Sequence, residues 1–388
     1  MKETIKALSA EYKDCLIRHR RHIHANPEPS FHEKETQSYI ISVLEEAGVA
    51  YMTYDDTYAV IASVRGDLPG PVLAYRADID ALRMQEENTV EDCPYRSKND
   101  GVMHACGHDG HTAVLLTFAQ LLAAHRDILP GEVIFVFQNA EEVLPGGAKK
   151  IVESGVLDRA ERIYGMHLWP ELDLGKVAYA PREMMSCADG FKVTFTGPGG
   201  HGSLPHLVPD VLLAGVTAIK EYQTIVSRTV PADETAVLSV CHFESGSAFN
   251  VIPDKAFLEG TVRTFNETVR ETIIEGIERI SKAVADAYGV GYEVDYTKGY
   301  PALVNDAETV KEACEKITAR TDAVMVETRP VMVAEDFSYY TEYRKGSFFH
   351  VGCRNKDKGI DCSLHSSTYK MDEDALEVAL QAFLALCL

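Results

Sequence analysis

The chain has 388 residues, 46% of them hydrophobic, with 38 basic and 59 acidic side chains and a net charge of −21. This length predicts about two domains, and the apolar content excludes a largely disordered chain. The negative charge disfavours nonspecific binding to nucleic acid or anionic lipid, because the long-range field repels both.

The sequence predicts neither a membrane span nor a secretory signal. No apolar run reaches the roughly 18 residues of a membrane-spanning helix, so we expect no membrane partner. The charged N-terminal segment, MKETIKALSAEYKDCLIRHRRHIH, is typical of an amphipathic helix and not of a secretory signal. Nine scattered cysteines without a CxxC pair favour reduced thiols. We therefore expect a cytoplasmic protein.

Strand and helix segments alternate from about residue 58 onwards. The predicted strands are AVIASVRG, PVLAYRAD, GEVIFVFQNAEE and RIYGMHLWP, and the predicted helices are HTAVLLTFAQLLAAH and GGAKKIVESG. Continuous apolar strands of this kind are typical of a parallel sheet covered on both faces. The alternation resumes near the C-terminus with DAETVKEACEKIT, SFFHVG and DEDALEVALQAFLALCL. The order predicts an α/β domain with a mostly parallel sheet.

The middle of the chain follows a different order. A strand in SCADGFKVTFTG, a helix in PDVLLAGVTAIKEYQTIVS and two strands in TAVLSVCHFES and KAFLEGTVRTF are followed by a long helix and a last strand, GYEVDYTK. This β-α-β-β-α-β order is the split βαβ, ferredoxin-like arrangement. We predict a smaller α+β domain over residues 185–297, inserted into an α/β domain formed by residues 1–184 and 298–388.

Metal-binding residue types cluster at the ends of the predicted strands or in the loops after them, where open α/β sheets bind ligands. The segments are ADID (77–80), HACGHDGH (104–111), NAEE (139–142), GMHLWP (165–170) and SLHSSTY (363–369). Thiolate, imidazole and carboxylate together suit a divalent metal such as zinc. The candidate ligands are Cys106, His108, Glu142, His167 and His365. Five ligands exceed one tetrahedral shell, which indicates a two-metal site and leaves Glu141 as a candidate general base.

Other interpretations of the same residues stay open at this point. Taken singly, His167 is also typical of a core histidine and His365 of an exposed loop residue. Cys106, between two histidines, is a candidate nucleophile, which would make the protein a cysteine hydrolase. The segment GPGGHG (197–202) matches a dinucleotide-binding pattern, but SLPHLVPD follows where a helix would have to begin, so we reject that reading. These glycines more simply let the backbone present His201.

The segments MHACGHDGHTA, NAEE, GMHLWP, GPGGHGSLPH, FNVIPD, GTVRTF, AEDFSYY and LHSSTY occur in an order that we recognise. They resemble the metal-dependent N-acyl amino acid amidohydrolases, which include hippurate hydrolase, auxin-conjugate hydrolases and N-acetyl amino acid deacetylases. RRHIHANPEPSFHEKET is similar to their opening segment, so the resemblance covers nearly the whole chain. It implies a catalytic domain with a dinuclear metal site, interrupted by a lid that often mediates dimerisation.

The resemblance also implies roles for individual residues. It assigns the five candidate ligands named above to the metals, Glu141 to general base catalysis and His201 to stabilisation of the oxyanion. Asn250 and Arg263 would bind the substrate carboxylate, Arg263 through a bidentate pair. Residues expected to orient the ligand histidines are Asp78, Asp80, Asp109 and Glu335.

The expected activity is hydrolysis of the amide bond of an N-acyl amino acid, with two divalent ions (Mn, Zn, Co or Ni) as cofactors. The acyl group, whether acetyl, benzoyl or aminoacyl, and the amino acid side chain stay open. We expect a homodimer with a small-molecule substrate and no nucleic-acid partner. The alternatives are the cysteine hydrolase using Cys106 and a metal-binding protein without catalytic activity.

Overall fold

The computed structural model of the protein describes residues 1–388. Its helices are α1 (Lys2–Glu11), α2 (Lys13–Ala25), α3 (Lys34–Glu46), α4 (His108–Ala124), α5 (Ala148–Glu153), α6 (Val211–Thr224), α7 (Glu267–Tyr288), α8 (Ala307–Arg320), α9 (Ser338–Tyr343) and α10 (Asp374–Cys387). No helix is both long and apolar enough to cross a membrane.

Sixteen strands accompany these helices. They are β1 (Ala50–Thr53), β2 (Val60–Arg65), β3 (Leu68–Asp78), β4 (Pro130–Gln138), β5 (Arg162–Asp173), β6 (Lys176–Tyr179), β7 (Glu183–Met185), β8 (Asp189–Thr196), β9 (Gly200–His201), β10 (Ala236–Ser245), β11 (Val251–Ile252), β12 (Lys255–Thr264), β13 (Gly291–Thr297), β14 (Leu303–Val304), β15 (Val324–Glu327) and β16 (Gly346–Arg354).

The chain divides into two compact units. Unit 1 comprises Met1–Met184, Val304–Arg329 and Asp336–Leu388, and unit 2 comprises Met185–Leu303 and Pro330–Glu335. Each unit has its own cluster of buried apolar side chains.

Unit 1 is built on an eight-stranded sheet in the order β1-β2-β4-β3-β5-β16-β6-β15. The central pairs β4–β3, β3–β5 and β5–β16 are parallel, whereas the pairs of β2 with β1 and β4 are antiparallel. The last six residues of β4 are all buried, and α4 is buried on nearly every side. Such apolar elements fit only the middle of a layered α/β domain. The predicted α/β class with a mostly parallel sheet is confirmed.

Unit 2 contains a four-stranded antiparallel sheet in the order β10-β12-β8-β13, with α6 and α7 between its strands in chain order. This is the predicted β-α-β-β-α-β arrangement. The Asn266 side chain caps α7 by accepting from the N–H groups of Thr268 and Val269, and the helix ends at Gly289 with φ 66°. Buried residues of α7 recur every three or four positions, which gives the helix one apolar face.

A buried ion pair ties the strands of unit 2 to α7. Arg270 Nε donates to Asp189 Oδ2 at 2.7 Å, and Asp189 also accepts from Tyr296 Oη at 2.7 Å and from Gly299 N at 2.9 Å. Arg270 and Asp189 are both almost inaccessible to solvent. Each charge is therefore stable in this position only while its partner is present.

We expect Arg270→Ala to lower the free energy of unfolding by about 3–5 kcal/mol, because it leaves the Asp189 carboxylate buried and unpaired. Urea denaturation of the purified variants measures this loss. Lys298→Ala is the matched control, since Lys298 makes only solvent-exposed ion pairs with Glu267 and Glu271, and such pairs contribute about 0–1 kcal/mol. Equal losses in the two variants would contradict the argument from burial.

Candidate metal centre

The site of unit 1 begins where two parallel strands end together. Asp78 of β3 pairs with Gln138 of β4, and both are the last residues of their strands. The chain then continues into Asp80 on one side and into residues 139–142 on the other. The carboxylates of ADID and NAEE therefore meet at one edge of the sheet, as predicted from the strand order.

Residues 104–111 lie at the same edge of the sheet, and their backbone turns at Gly107. Gly107 has φ 89°, a conformation that favours glycine, and α4 begins at the next residue, His108. The loop that carries His365 is tied to the same segment, because His365 N donates to the carbonyl of Ala105 at 2.8 Å. His365 itself has φ 58°, which a non-glycine residue rarely adopts.

Atoms of three other candidate ligands, His167, His365 and Glu142, lie near the Cys106 thiol. The distance from Cys106 Sγ to His167 Nε2 is 3.4 Å, and to His365 Nε2 it is 3.3 Å. Glu142 Oε1 lies 3.4 Å from the same nitrogen of His365. His167 lies inside β5, opposite His350 of β16, and β5 continues beyond the predicted strand RIYGMHLWP to Asp173.

A second group shares Glu142 with the first. His108 Nε2 lies 3.8 Å from Glu142 Oε1 and 3.6 Å from Asp78 Oδ2. A ring nitrogen of His108 and carboxylate oxygens of Glu141 and Glu142, each able to bind a metal, lie within 4.8 Å of one another. The structure thus brings together all five predicted ligands and the predicted general base.

The hydrogen bonds of two histidines leave one nitrogen of each available for a metal. The Nδ1 of His108 lies 2.9 Å from the Asp80 carbonyl, and the Nδ1 of His167 lies 2.8 Å from the Leu168 carbonyl. A ring nitrogen that faces a carbonyl must donate a proton, so in the neutral ring the lone pair is on Nε2. Both Nε2 atoms face the cluster, which is the orientation that metal-binding histidines need.

The charge of the cluster also fits a divalent cation. His108 Nε2 and Glu142 Oε1 are buried and have no hydrogen-bond partner. Burial alone would lower the pKa of His108, but the carboxylates of Asp78 and Asp80 outweigh it and raise this pKa to about 10. The negative field that favours a proton on His108 equally favours a metal ion at that position.

The cysteine-nucleophile alternative finds no support in these surroundings. Burial raises the pKa of the Cys106 thiol well above its ordinary value, and the carboxylates of Glu142 and Glu141 raise it further. A nucleophilic cysteine needs the opposite, a positive environment that stabilises the thiolate. Without a metal ion, Cys106 is a protonated and weakly reactive thiol.

Two of the expected orienting aspartates contact histidines of the site. Asp80 Oδ1 lies 3.3 Å from His108 Nδ1. Asp78 accepts from His111 Nδ1 at 2.6 Å, and the other nitrogen of His111 accepts from Leu168 N at 2.8 Å. Because both nitrogens of His111 are used, this histidine supports the neighbouring strand and is not available to a metal.

The expectation for Asp109 was wrong, and the role expected for Glu335 stays a prediction. Asp109 Oδ2 accepts from Arg20 Nε at 2.8 Å and from His24 Nδ1 at 2.9 Å, so it holds α2 against α4 and not a ligand histidine. Glu335 belongs to unit 2. The neighbouring Asp336 lies in unit 1, where it accepts from Arg76 and Gln138.

Sequence reasoning missed Arg76, whose buried guanidinium donates to Asp78 at 2.8 Å and to Asp336 at 2.7 Å. One signal was present, since a charged residue within the apolar strand PVLAYRAD must have partners.

The remaining predicted site residues belong to unit 2. His201 lies on β9, is exposed, and its Nδ1 accepts from Ser203 Oγ at 2.8 Å. The Asn250 carbonyl accepts from Gly202 N at 2.8 Å. Arg263 on β12 donates to the carbonyl of Val262 at 2.9 Å. The roles of these three residues toward a substrate stay predictions.

An open α/β sheet with thiol, imidazole and carboxylate groups gathered at its edge is typical of a metal-dependent enzyme. Residues 74–388 match Peptidase family M20/M25/M40, and the chain belongs to this family. The predicted relationship to the N-acyl amino acid amidohydrolases is confirmed by its relatives.

The chain is 44% identical over 304 residues to an N-acyl-L-amino acid amidohydrolase from Geobacillus stearothermophilus, which covers 78% of this chain and 81% of the relative. It is 38% identical over 369 residues to an N-acetylcysteine deacetylase from Bacillus subtilis, covering 95% and 94% of the two chains. A solved structure of a dinuclear metal binding peptidase of the M20 family from Bacillus subtilis superposes with a TM-score of 0.83 at 36% identity, covering 98% of both chains.

We expect Glu142→Ala to weaken metal binding by more than the roughly 10–100-fold that loss of an outer hydrogen-bond partner of a ligand causes. Glu142 Oε1 lies between His108 and His365, so its removal affects both groups of ligand atoms. Metal analysis after dialysis against dilute chelator measures the effect. Glu153→Ala, at an exposed glutamate on α5, is the control and should keep its metal. Unchanged metal content in Glu142→Ala would contradict the assignment.

Proposed function

We propose that the protein hydrolyses the amide bond of N-acyl amino acids, releasing a carboxylate and a free amino acid, and that it requires divalent metal ions. The observation that carries this proposal is the convergence of five candidate ligands with Glu141 at one edge of the unit 1 sheet. The family and the relatives described above support the same reaction.

Two divalent ions would be held by Cys106, His108, Glu142, His167 and His365. When bound, they supply Lewis acidity that polarises the amide carbonyl and lowers the pKa of a water molecule. Manganese, zinc, cobalt and nickel all accept such mixed ligands, so the metal that is used depends on availability as well as geometry.

Glu141 acts as the general base and then as the general acid. Its carboxylate adjoins Glu142 and lies with His108 in the buried cluster. It accepts a proton from the attacking water and delivers that proton to the leaving nitrogen. Proton transfer by a positioned group of this kind contributes about 10²–10⁴-fold to the rate.

His201, Asn250 and Arg263 act on the substrate from unit 2 in this proposal. His201 donates to the oxyanion that forms on the carbonyl oxygen, a contact typically worth roughly 3–4 kcal/mol. Asn250 and Arg263 bind the free carboxylate of the amino acid. Residues 185–297 thus serve as a lid, and residues 1–184 and 298–388 form the catalytic domain.

We also propose that unit 2 mediates a homodimer. Its strand β10 is an edge strand, and its surface exposes large apolar side chains: Leu207, Leu213, Val216, Phe249 and Val251. Exposed edge strands and exposed large apolar side chains are common at association surfaces. A protein that sediments as a monomer and turns over at full rate would contradict this proposal.

The test of the proposed function is an assay of free amino acid release from a panel of acetyl, benzoyl and aminoacyl amino acids. We expect chelator to abolish the activity and added manganese, zinc or cobalt to restore it. Alkylation of the chelated protein, followed by metal addition, tests whether modification of Cys106 prevents the recovery of activity. Activity that survives chelator but not alkylation would support the cysteine hydrolase. Bound metal without hydrolysis of any panel member would support a metal-binding protein without catalytic activity.

We expect Glu141→Gln to lower kcat by about 10²–10⁴-fold while the protein keeps its metal, because the amide cannot accept the proton. Steady-state kinetics and metal analysis of the same preparation measure both effects. Glu153→Gln serves as the control for an exposed glutamate of unit 1. Near-normal turnover in Glu141→Gln would remove this residue from the mechanism.

A further inference from the structure

Glu33 is a buried carboxylic acid that the proposed reaction does not use. It is inaccessible to solvent and precedes α3, in the loop that connects this helix to α2. Burial, and then the negative charge of Asp80, raises the pKa of Glu33 to about 7. A carboxyl group in such a position is unfavourable unless it makes a specific contact.

That contact is with the residue before the catalytic glutamate. Glu33 Oε1 accepts from the backbone N–H of Ala140 at 2.8 Å. Ala140 has φ 54°, in the left-handed region that a residue with a side chain avoids. Such a conformation persists only where the surroundings enforce it, and it sets the direction in which Glu141 and Glu142 leave β4.

The same loop also contacts the other side of the site. Ser30 Oγ donates to Asp80 Oδ2 at 2.7 Å, and this oxygen accepts from the backbone N–H of Glu142 at 3.0 Å. In addition, Ala81 N donates to the Glu28 carbonyl at 2.8 Å. The segment from Glu28 to Glu33 therefore makes hydrogen bonds to the residues that follow both β3 and β4.

We propose that Glu33 is a positioning residue for Glu141. By holding the Ala140 N–H, it keeps the peptide in the left-handed turn that directs Glu141 into the site. The effect on turnover rests on the proposed hydrolysis, whereas the effect on the Ala140 backbone does not. Glu33 touches neither the substrate nor the candidate ligands in this proposal.

The test compares Glu33→Ala with the double variant Glu33→Ala/Ala140→Gly. We expect Glu33→Ala to lower kcat about 10–100-fold, as misplacement of a reacting group does, with KM and metal content little changed. Glycine adopts the left-handed conformation without penalty, so the second substitution should restore much of kcat. A merely structural defect would not be repaired in this way. A normal kcat in Glu33→Ala, or no recovery in the double variant, would overturn the proposal.

Glu33→Gln keeps an acceptor oxygen for Ala140 and should retain kcat within a few-fold, even if Glu33→Ala does not fold. A large loss of kcat in folded, metal-loaded Glu33→Gln would show that the charge matters and not the hydrogen bond. Glu35→Ala, at an exposed position of α3, is the control.

Amide hydrogen exchange over residues 139–142 gives a readout that does not depend on activity. We expect faster exchange in Glu33→Ala and wild-type exchange in Glu33→Gln. If the wild-type protein cleaves no panel substrate, the proposed function fails, but this exchange difference still decides the role of Glu33. Equal exchange in all variants would overturn that role.

Discussion

The structure of unit 1 depends on how it accommodates negative charge in a buried position. Asp78, Asp80 and Glu141 are all buried at one sheet edge, with Glu142 beside them. Carboxylates this close repel one another and lose their hydration, so they are stable only beside positive charge or good donors. Arg76 supplies one such charge, and the backbone N–H of Glu142 and the hydroxyl of Ser30 supply donors to Asp80. Divalent ions would balance the rest, so metal binding and stability of this edge are linked.

Unit 2 also contains a buried carboxylate. Its buried Asp189 is balanced by Arg270 and by neutral donors, all from within the unit. Its apolar cluster is separate from that of unit 1. Both units thus pair a buried carboxylate with a guanidinium, and unit 1 has in addition a cluster of carboxylates that favours cations.

Much of this architecture was predictable because strong local patterns specify it. The continuous apolar run of β4, the length of α4 and the alternation of β8 each determine one element, and their order determines the two sheet types. The short strands β1, β6 and β15 were not predicted, since their few residues carry little periodicity. His167 lies within its predicted strand, but β5 is longer than predicted because it pairs with β16 as far as Asp173.

The candidate ligands could be identified from residue types, whereas their supports could not. Arg76, Asp336 and Glu33 act through contacts between segments distant in sequence, and no local pattern indicates which distant partner a buried charge will meet. Asp109 illustrates the same limit, since its partners on α2 could not be inferred from the segment HACGHDGH.

The loop contact between His365 and Ala105 has a consequence for the order in which the protein matures. The proposed ligands Cys106 and His365 are 259 positions apart, and Glu142 and His167 lie between them in sequence. During synthesis, the earlier ligands leave the ribosome long before His365 exists. The complete set can therefore form only after β16 and the loop that follows it have been synthesised. Binding of metal by the full proposed set is then a late event in synthesis, and a chain interrupted before residue 365 would lack the last proposed imidazole.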